Sequence, residues 1–299
     1  MSHYAVAVIT SGKPTREDLE KIMAPYDEGL EVITYKSKAE TIAEIRKEIA
    51  DYASGVYAEY LKDKEAYREN CKDSPGHLKY IEEEFPARLE WTDEECYQEA
   101  IRYKDEEDIM PDGSVRSHYN PDSKWDWYEI GGRWCGQLYV KKDADGQKGK
   151  MSWTYEGNAE KAYGCDYPGY ERVDGAFLKD VCFPDAEKEV EEAKRFWEIY
   201  VEGDEPKNEE EKELVEYVFY KKEYYLKSYK TKENYIKENT GLVLYAVVTK
   251  DGKWHEKGQM GWFGMGSNED HIGWPDTFKK LVWGNVEDGD YITVVDCHI

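Results

Sequence analysis

The run Tyr4-Ala5-Val6-Ala7-Val8-Ile9 decides how the rest of this 299-residue chain is read, because an apolar segment of that length marks a strand. It ends in a Ser11-Gly12 turn, and Pro14-Thr15-Arg16-Glu17-Asp18-Leu19 then opens a short helix with an acidic first turn. Leu30 to Tyr35 is a second strand candidate. A helical stretch follows from about Lys38 to Tyr67, where Ile42, Ile45, Ile49, Tyr52 and Val56 recur at helical spacing. The opening therefore reads as βαβα.

The other end repeats the flavour. Leu242 to Thr249 is an apolar strand, Asp251-Gly252 a tight turn, Pro275 to Trp283 a helix and Tyr291 to Val295 a further run of β-formers. Tyr4-Ala5-Val6 leading to Thr10-Ser11-Gly12-Lys13 is echoed by Tyr245-Ala246-Val247 leading to Thr249-Lys250-Asp251-Gly252-Lys253, as two strands at equivalent places in one sheet would be. The expected fold is α+β: a mixed sheet with flanking helices formed by the N- and C-terminal segments, plus an inserted helical hairpin. The expected divisions are 1–70 with 240–299, a Trp-rich middle region of short strands and loops over 71–183, and a charged hairpin over 184–239. In that hairpin Val190, Ala193, Trp197 and Val201 share one face, Gly203-Asp204-Glu205-Pro206 breaks the arms, and the second arm runs from about Asn208 to Asn239. Its Leu214, Tyr217, Val218, Tyr224, Tyr225 and Tyr229 form a stripe expected to face inward.

Residues 119–134, YNPDSKWDWYEIGGRW, carry the densest local signal. Asn120-Pro121-Asp122-Ser123 suits a turn into a strand, alternation around Asp126 puts Trp125 and Trp127 on one face, and Gly131-Gly132 allows a bulge or a positive-φ turn. Aromatic residues dominate both cores and the centres of binding surfaces. As core the motif is structural; as surface it offers Trp125, Trp127, Tyr128, Arg133 and Trp134 to a partner. The stretch 258–266, GQMGWFGMG, is a pliable apolar loop whose Trp262 and Phe263 either close the core or mark an interface.

Sixty-five acidic against 41 basic side chains leave a formal charge of −24, which disfavours direct nucleic-acid binding and suits either solubility or a basic protein surface. No apolar run reaches membrane-spanning length and the N-terminus lacks signal-peptide features, so a cytoplasmic protein without a membrane partner is expected. The six cysteines form no CxxC pair and are expected to be reduced and mostly buried. No phosphate loop, dinucleotide fingerprint, HExxH or GxSxG occurs, and no motif calls for a cofactor. The weak metal candidate is His255, Asp296 and His298, of which Asp296 and His298 alternate onto one face of a terminal strand.

Ala24-Pro25-Tyr26-Asp27-Glu28, Asn120-Pro121, Ser123-Lys124-Trp125-Asp126-Trp127-Tyr128, Ile130-Gly131-Gly132-Arg133-Trp134, Gly261-Trp262-Phe263-Gly264 and Val295-Asp296-Cys297-His298 together resemble a family of uncharacterised bacteriophage and prophage proteins. The markers span nearly the whole chain apart from the 184–239 hairpin. The resemblance brings no reaction or catalytic residue. It implies a factor at work in the host bacterial cytoplasm, such as an anti-defence protein that inhibits a host protein or antiviral complex, Gabija being one concrete version. The leading expectation is thus a non-catalytic binding protein. The alternative is an enzyme acting on a nucleotide or small phosphorylated ligand, with Arg133 or Lys124 as anion clamp and Asp296, His298 and His255 as acid/base groups or metal ligands. Self-association through the hairpin would instead mark an assembly protein.

Overall fold

A strand with no polar alternation must be covered on both faces, and the N-terminal run is. In the computed structural model, which describes residues 2–151, 166–261 and 266–299, it forms the strand His3–Thr10, buried from Tyr4 to Ile9. On one side lies Tyr291–His298, antiparallel, with His3 opposite His298 and Thr10 opposite Tyr291; on the other lies Ala246–Val248, parallel, with Val6 opposite Ala246. The seven-stranded sheet runs Trp254–Glu256, Ala246–Val248, His3–Thr10, Tyr291–His298, Trp127–Gly132, Lys150–Met151, and Gly175–Phe177 also pairs with the C-terminal strand. It is a mixed sheet with flanking helices, as expected for the α+β class; the two ends of the chain supply its central strands, and the middle region adds Trp127–Gly132, Lys150–Met151 and Gly175–Phe177.

Each face has its own helix. Ala5, Ala7, Val247, Ile292 and Val294 meet the helix Trp274–Trp283 through Trp274, Phe278 and Val282. Val6, Val8, Val295 and Cys297 meet the helix Arg16–Met23 through Leu19 and Met23. The first of these helices has Pro275 in its opening turn, where a missing N–H is harmless. The second begins with a Thr15–Asp18 capping box. Fully buried side chains such as Phe278 and Leu19 each contribute roughly 1.5–3 kcal/mol of hydrophobic stabilisation.

The chain divides into two compact units, Met1–Leu30 with Asp122–Ile299, and Glu31–Pro121. The expected boundary at residue 70 is therefore displaced, and the opening is not a continuous βαβα module. The strand Thr34–Lys36 pairs with Val115–Ser117, and the helix Lys38–Tyr52 packs on Asp93–Ile101, with Arg46 bonded to Asp93 at 2.6 Å. The helical stretch after Lys38 passes through a π-helical turn at Ala53–Tyr57 and stops at Asp63, which caps Lys64–Asn70. Residues expected as strands and loops after Cys71 are helical over Pro75–Lys79, Tyr80–Glu84, Phe85–Arg88 and Asp93–Ile101. The last starts with a Thr92–Glu95 capping box, a helix-start signal already present in the sequence.

The inserted hairpin is helical but less regular than its periodicity predicts. Ala186–Phe196 continues through the π-helical segment Trp197–Glu202 to Gly203, whose φ of 90° ends the arm. The second arm is three helices, Glu209–Glu213, Lys222–Tyr229 and Lys232–Asn239. Lys230, at φ 64°, and the Thr231 cap, which accepts from the Asn234 amide, enforce the last break. Ala193, Trp197, Val201, Tyr229 and Tyr235 form the local core, whereas Val190, expected on the same face as Ala193, and Tyr217, expected inward, are exposed. Among the described residues no helix is long and apolar enough to cross a membrane. Cys71, Cys96, Cys135, Cys182 and Cys297 are free thiols, with only Cys96 and Cys297 buried.

Candidate functional site

The central motif enters the sheet at Trp127. From there to Gly132 it runs antiparallel to the C-terminal strand, with Trp127 opposite His298 and Glu129 opposite Asp296. Just upstream, the Lys124 and Trp125 amides both donate to the Tyr26 carbonyl, at 2.8 and 3.2 Å. Two successive donors on one acceptor interrupt the alternation, so Trp125 and Trp127 do not share a face as their spacing predicts. Trp125 turns inward, 8% exposed, edge-on to Tyr128 at 5.0 Å and within the Leu19–Met23 core. Trp127 takes the opposite face, 39% exposed, stacked on the His298 ring at 5.3 Å. Tyr128 is half-buried against Trp125's core, and Trp134 packs on the core of the other face. A groove of about 560 Å³ runs beside the motif, lined by Trp125, Trp127, Tyr128, Arg16 and Lys148 among others.

The glycine pair is explained by two buried aspartates. Gly131 and Gly132 have φ of 79° and 53°, and the Trp134 amide closes the turn on the Gly131 carbonyl at 2.9 Å. A Cβ on Gly131 would sit 2.9 Å from the Asp174 carboxyl carbon, and one on Gly132 would sit 2.5 Å from Asp296. Asp296 accepts the Arg133 amide at 2.8 Å and lies 2.9 Å from His3 Nδ1. Asp174 accepts the Gly136 and Gly149 amides at 2.5 and 2.7 Å and the Cys135 thiol at 3.3 Å. Burial still raises the Asp174 carboxyl above its ordinary range despite these bonds. Burial and the neighbouring Asp174 charge push the Cys135 thiol up to about 12, which removes it as a nucleophile at neutral pH. This segment is a pinned scaffold.

Asp296 and His298 do share a face, and each finds a partner that sequence reading missed. Asp296 holds His3, while His298 Nδ1 lies 2.5 Å from Asp126 Oδ1, and the two imidazoles meet edge to face at 4.8 Å. His3 is held below its ordinary value chiefly by burial, then opposed by Asp296 and assisted by the Arg133 and His298 charges. His255 does not join them. It stands opposite Val247, which is opposite Ala7, which is opposite Val294, so His298 is three strands across and four residues along, roughly 14 Å by 13 Å away. The three-residue metal set is thus not assembled, and no group of three or more His, Cys, Asp or Glu among the described residues converges to hold a cation.

The anion clamp imagined from Lys124 is closed, because its ammonium sits 2.7 Å from Glu256, which also accepts the Trp254 indole at 2.9 Å. Arg133 holds the fold through its amide, and its buried Nε has no hydrogen-bond partner among the described residues. Trp262 and Phe263 lie outside the described residues; the flanking pairs Gln259–Met260 and Gly266–Ser267 are antiparallel strands.

The most exposed aromatics lie elsewhere. Tyr217 and Phe219 are each 89% exposed, and Tyr220, 47% exposed, stacks on Tyr224 at 4.0 Å. The signal available in sequence was the run Tyr217-Val218-Phe219-Tyr220, four residues without a charge inside a highly charged arm. Comparison of the chain with protein-family models, with curated proteins and with solved structures finds no match. Fold and site together define an α+β protein with a two-face-buried mixed sheet and outward-facing aromatics on the motif and the hairpin.

Proposed function

We propose that this is a non-catalytic, phage-encoded binding protein that inhibits a host protein or antiviral defence complex by protein–protein contact. The observation that carries the reading is the near-complete exposure of Tyr217 and Phe219, since large aromatics held out of a core are the anchors from which interface hot spots are made. Trp127 beside its groove is a second anchor. The charge of −24 suits a basic partner surface, where it would speed encounter and disfavour acidic competitors. The motif resemblance to phage and prophage proteins supplies the biological setting. Against an enzyme acting on phosphorylated ligands stand the engaged Lys124, the distant His255 and the high-pKa Cys135.

The test is affinity capture of the tagged protein from bacterial lysate at moderate salt, with the Tyr217→Ala/Phe219→Ala double variant in parallel. A host protein captured in stoichiometric amounts by the wild type and lost with the variant is the expected result. Partnerless wild-type protein, or capture unchanged by the double substitution, would reject this assignment.

A further inference from the structure

The strand Trp127–Gly132 is paired along the whole of one edge and along only part of the other. Its inner neighbour is Tyr291–His298. The Ser2 and Ile299 amides each donate to the other's carbonyl, at 2.9 and 3.1 Å, and antiparallel bonding alternates from that pair. Cys297 and Val295 thus spend their backbone groups on the N-terminal strand, opposite Tyr4 and Val6, while His298 and Asp296 spend theirs on Trp127 and Glu129. Tyr128 and Ile130 therefore turn their backbone N–H and C=O groups to the outer edge. There the parallel strand Lys150–Met151 begins only opposite Gly131. Just ahead of it Gly149 lies so tightly on Ile130 that a Cβ would sit 2.2 Å from the Ile130 carbonyl oxygen. Among the described residues nothing bonds the Tyr128 N–H, the Tyr128 C=O or the Ile130 N–H.

The 560 Å³ groove lies along this open stretch. Every residue from Trp125 to Ile130 lines it, and neighbours on a strand point to opposite faces, so the groove follows the strand's edge and not either face. Leu19 and its helix wall it on the face of Tyr128, Trp127 stands on the other face, and Lys148-Gly149 closes one end. A backbone edge set in a walled groove is the receptor for an extended chain, which adds itself as a further strand. Charge selects the kind of chain. Both cations lining the groove are already answered, Arg16 by Glu20 at 2.8 Å and Lys148 by Glu171 at 2.7 Å. Glu129 and Asp126, the latter bonded to His298 and 39% exposed, add negative charge. A second copy of this chain, at −24, would meet the edge with like charge.

We infer that this edge receives an extended, basic segment of the partner protein as an added strand bonded to Tyr128 and Ile130. Because side chains alternate along a strand, its apolar residues lie against Leu19 and its Lys or Arg residues lie beside Trp127 and Glu129. The inference rests on the binding reading above and gives that reading a mode of recognition.

The test is an amide-resolved NMR titration of the full chain with the end-capped peptide Arg-Val-Lys-Val-Arg-Val-Thr. In the free protein the Tyr128 amide should exchange with solvent much faster than the Glu129 amide, which is bonded inside the sheet. The peptide should bind saturably, one to one, slowing Tyr128 exchange and shifting the Tyr128 and Ile130 amides. Methylating one alternate set of its backbone nitrogens should weaken binding roughly tenfold or more, and methylating the other set should not, because a strand bonds along one edge only. The acidic control Glu-Val-Asp-Val-Glu-Val-Thr should not saturate. No saturable binding, equal binding of the acidic control, or indifference to both methylation patterns would overturn the inference. A Tyr128 amide already protected in a peptide-free dimer would overturn it too, assigning the edge to a second copy. A host protein captured from lysate while the peptide fails leaves the binding reading standing and removes this edge; peptide addition at Tyr128 with no captured partner keeps the edge and removes that reading.

Discussion

Trp127 lies nearly flat on the His298 imidazole, with ring centroids 5.3 Å apart and 18° between the planes. His298 is itself bonded to Asp126, so the residue before Trp127 and the residue beneath it are tied together. A partly exposed indole held this way loses little side-chain freedom when a partner covers it, which is what a preorganised anchor requires.

The two neighbouring tryptophans should separate cleanly by mutation. Trp125→Ala opens a cavity in the Leu19–Met23 core and is expected to cost about 3–5 kcal/mol. Trp127→Ala forfeits mainly the stack and should cost about 0.5–1.5 kcal/mol. Equilibrium denaturation of both variants checks the ordering; equal losses would contradict the assignment of opposite faces.

Gly132→Ala should be strongly destabilising, because φ of 53° strains any L side chain by about 1–3 kcal/mol and the new methyl would collide with Asp296. Asp174→Asn is the companion case. It relieves a buried charge but turns one acceptor into an NH₂ facing either the Gly136 or the Gly149 amide, leaving a buried donor unsatisfied at about 1–3 kcal/mol. Thermal unfolding should show a lower Tm for both.

His3 makes stability pH-dependent. Its folded pKa is depressed below the ordinary 6.5, so its contribution is fully present above that value and is lost as pH falls through the lowered folded value. Denaturation at pH 7.5 and at pH 5 should show a loss of stability that is smaller in His3→Asn. An identical loss in the variant would show that His3 does not titrate in this way.

Arg195 ties the hairpin together, gripping Glu211 with two bonds of 2.9 and 2.8 Å and reaching Glu198 at 2.5 Å. Hydrogen bonds from Arg195, then from the Lys207 amide, hold the Glu211 carboxyl at about 2. A depressed carboxyl stabilises above its unfolded value and loses that effect as pH falls toward about 2. Glu211→Gln should therefore speed amide exchange over 207–214 at neutral pH, and the difference from wild type should shrink in acid.

The surface aromatics should behave oppositely to the core. Tyr217→Ala/Phe219→Ala touches groups exposed at 89%, so stability should stay within about 0.5 kcal/mol while partner capture is lost. Circular dichroism melts alongside the pull-down make that comparison.

Sequence alone determined the central strands of the sheet, because an unbroken apolar run such as Tyr4 to Ile9 has no stable place except between two covered faces, whereas the short strands Trp254–Glu256, Lys150–Met151 and Gly175–Phe177 carry no such run. It also determined the meeting of the two termini, the helix after Pro14 and the helix ending at Trp283, since caps, turns and periodicity are local properties. Tertiary structure decided what local pattern cannot carry. The doubled bond on the Tyr26 carbonyl sent Trp125 and Trp127 to opposite faces, and Lys38–Tyr52 found its packing partner in Asp93–Ile101, within the unit Glu31–Pro121. The partners of His3, Asp126 and Asp174 are distant in the chain, so no local pattern announces them. A buried charge acquires meaning only from the donors that folding brings, or fails to bring, within reach.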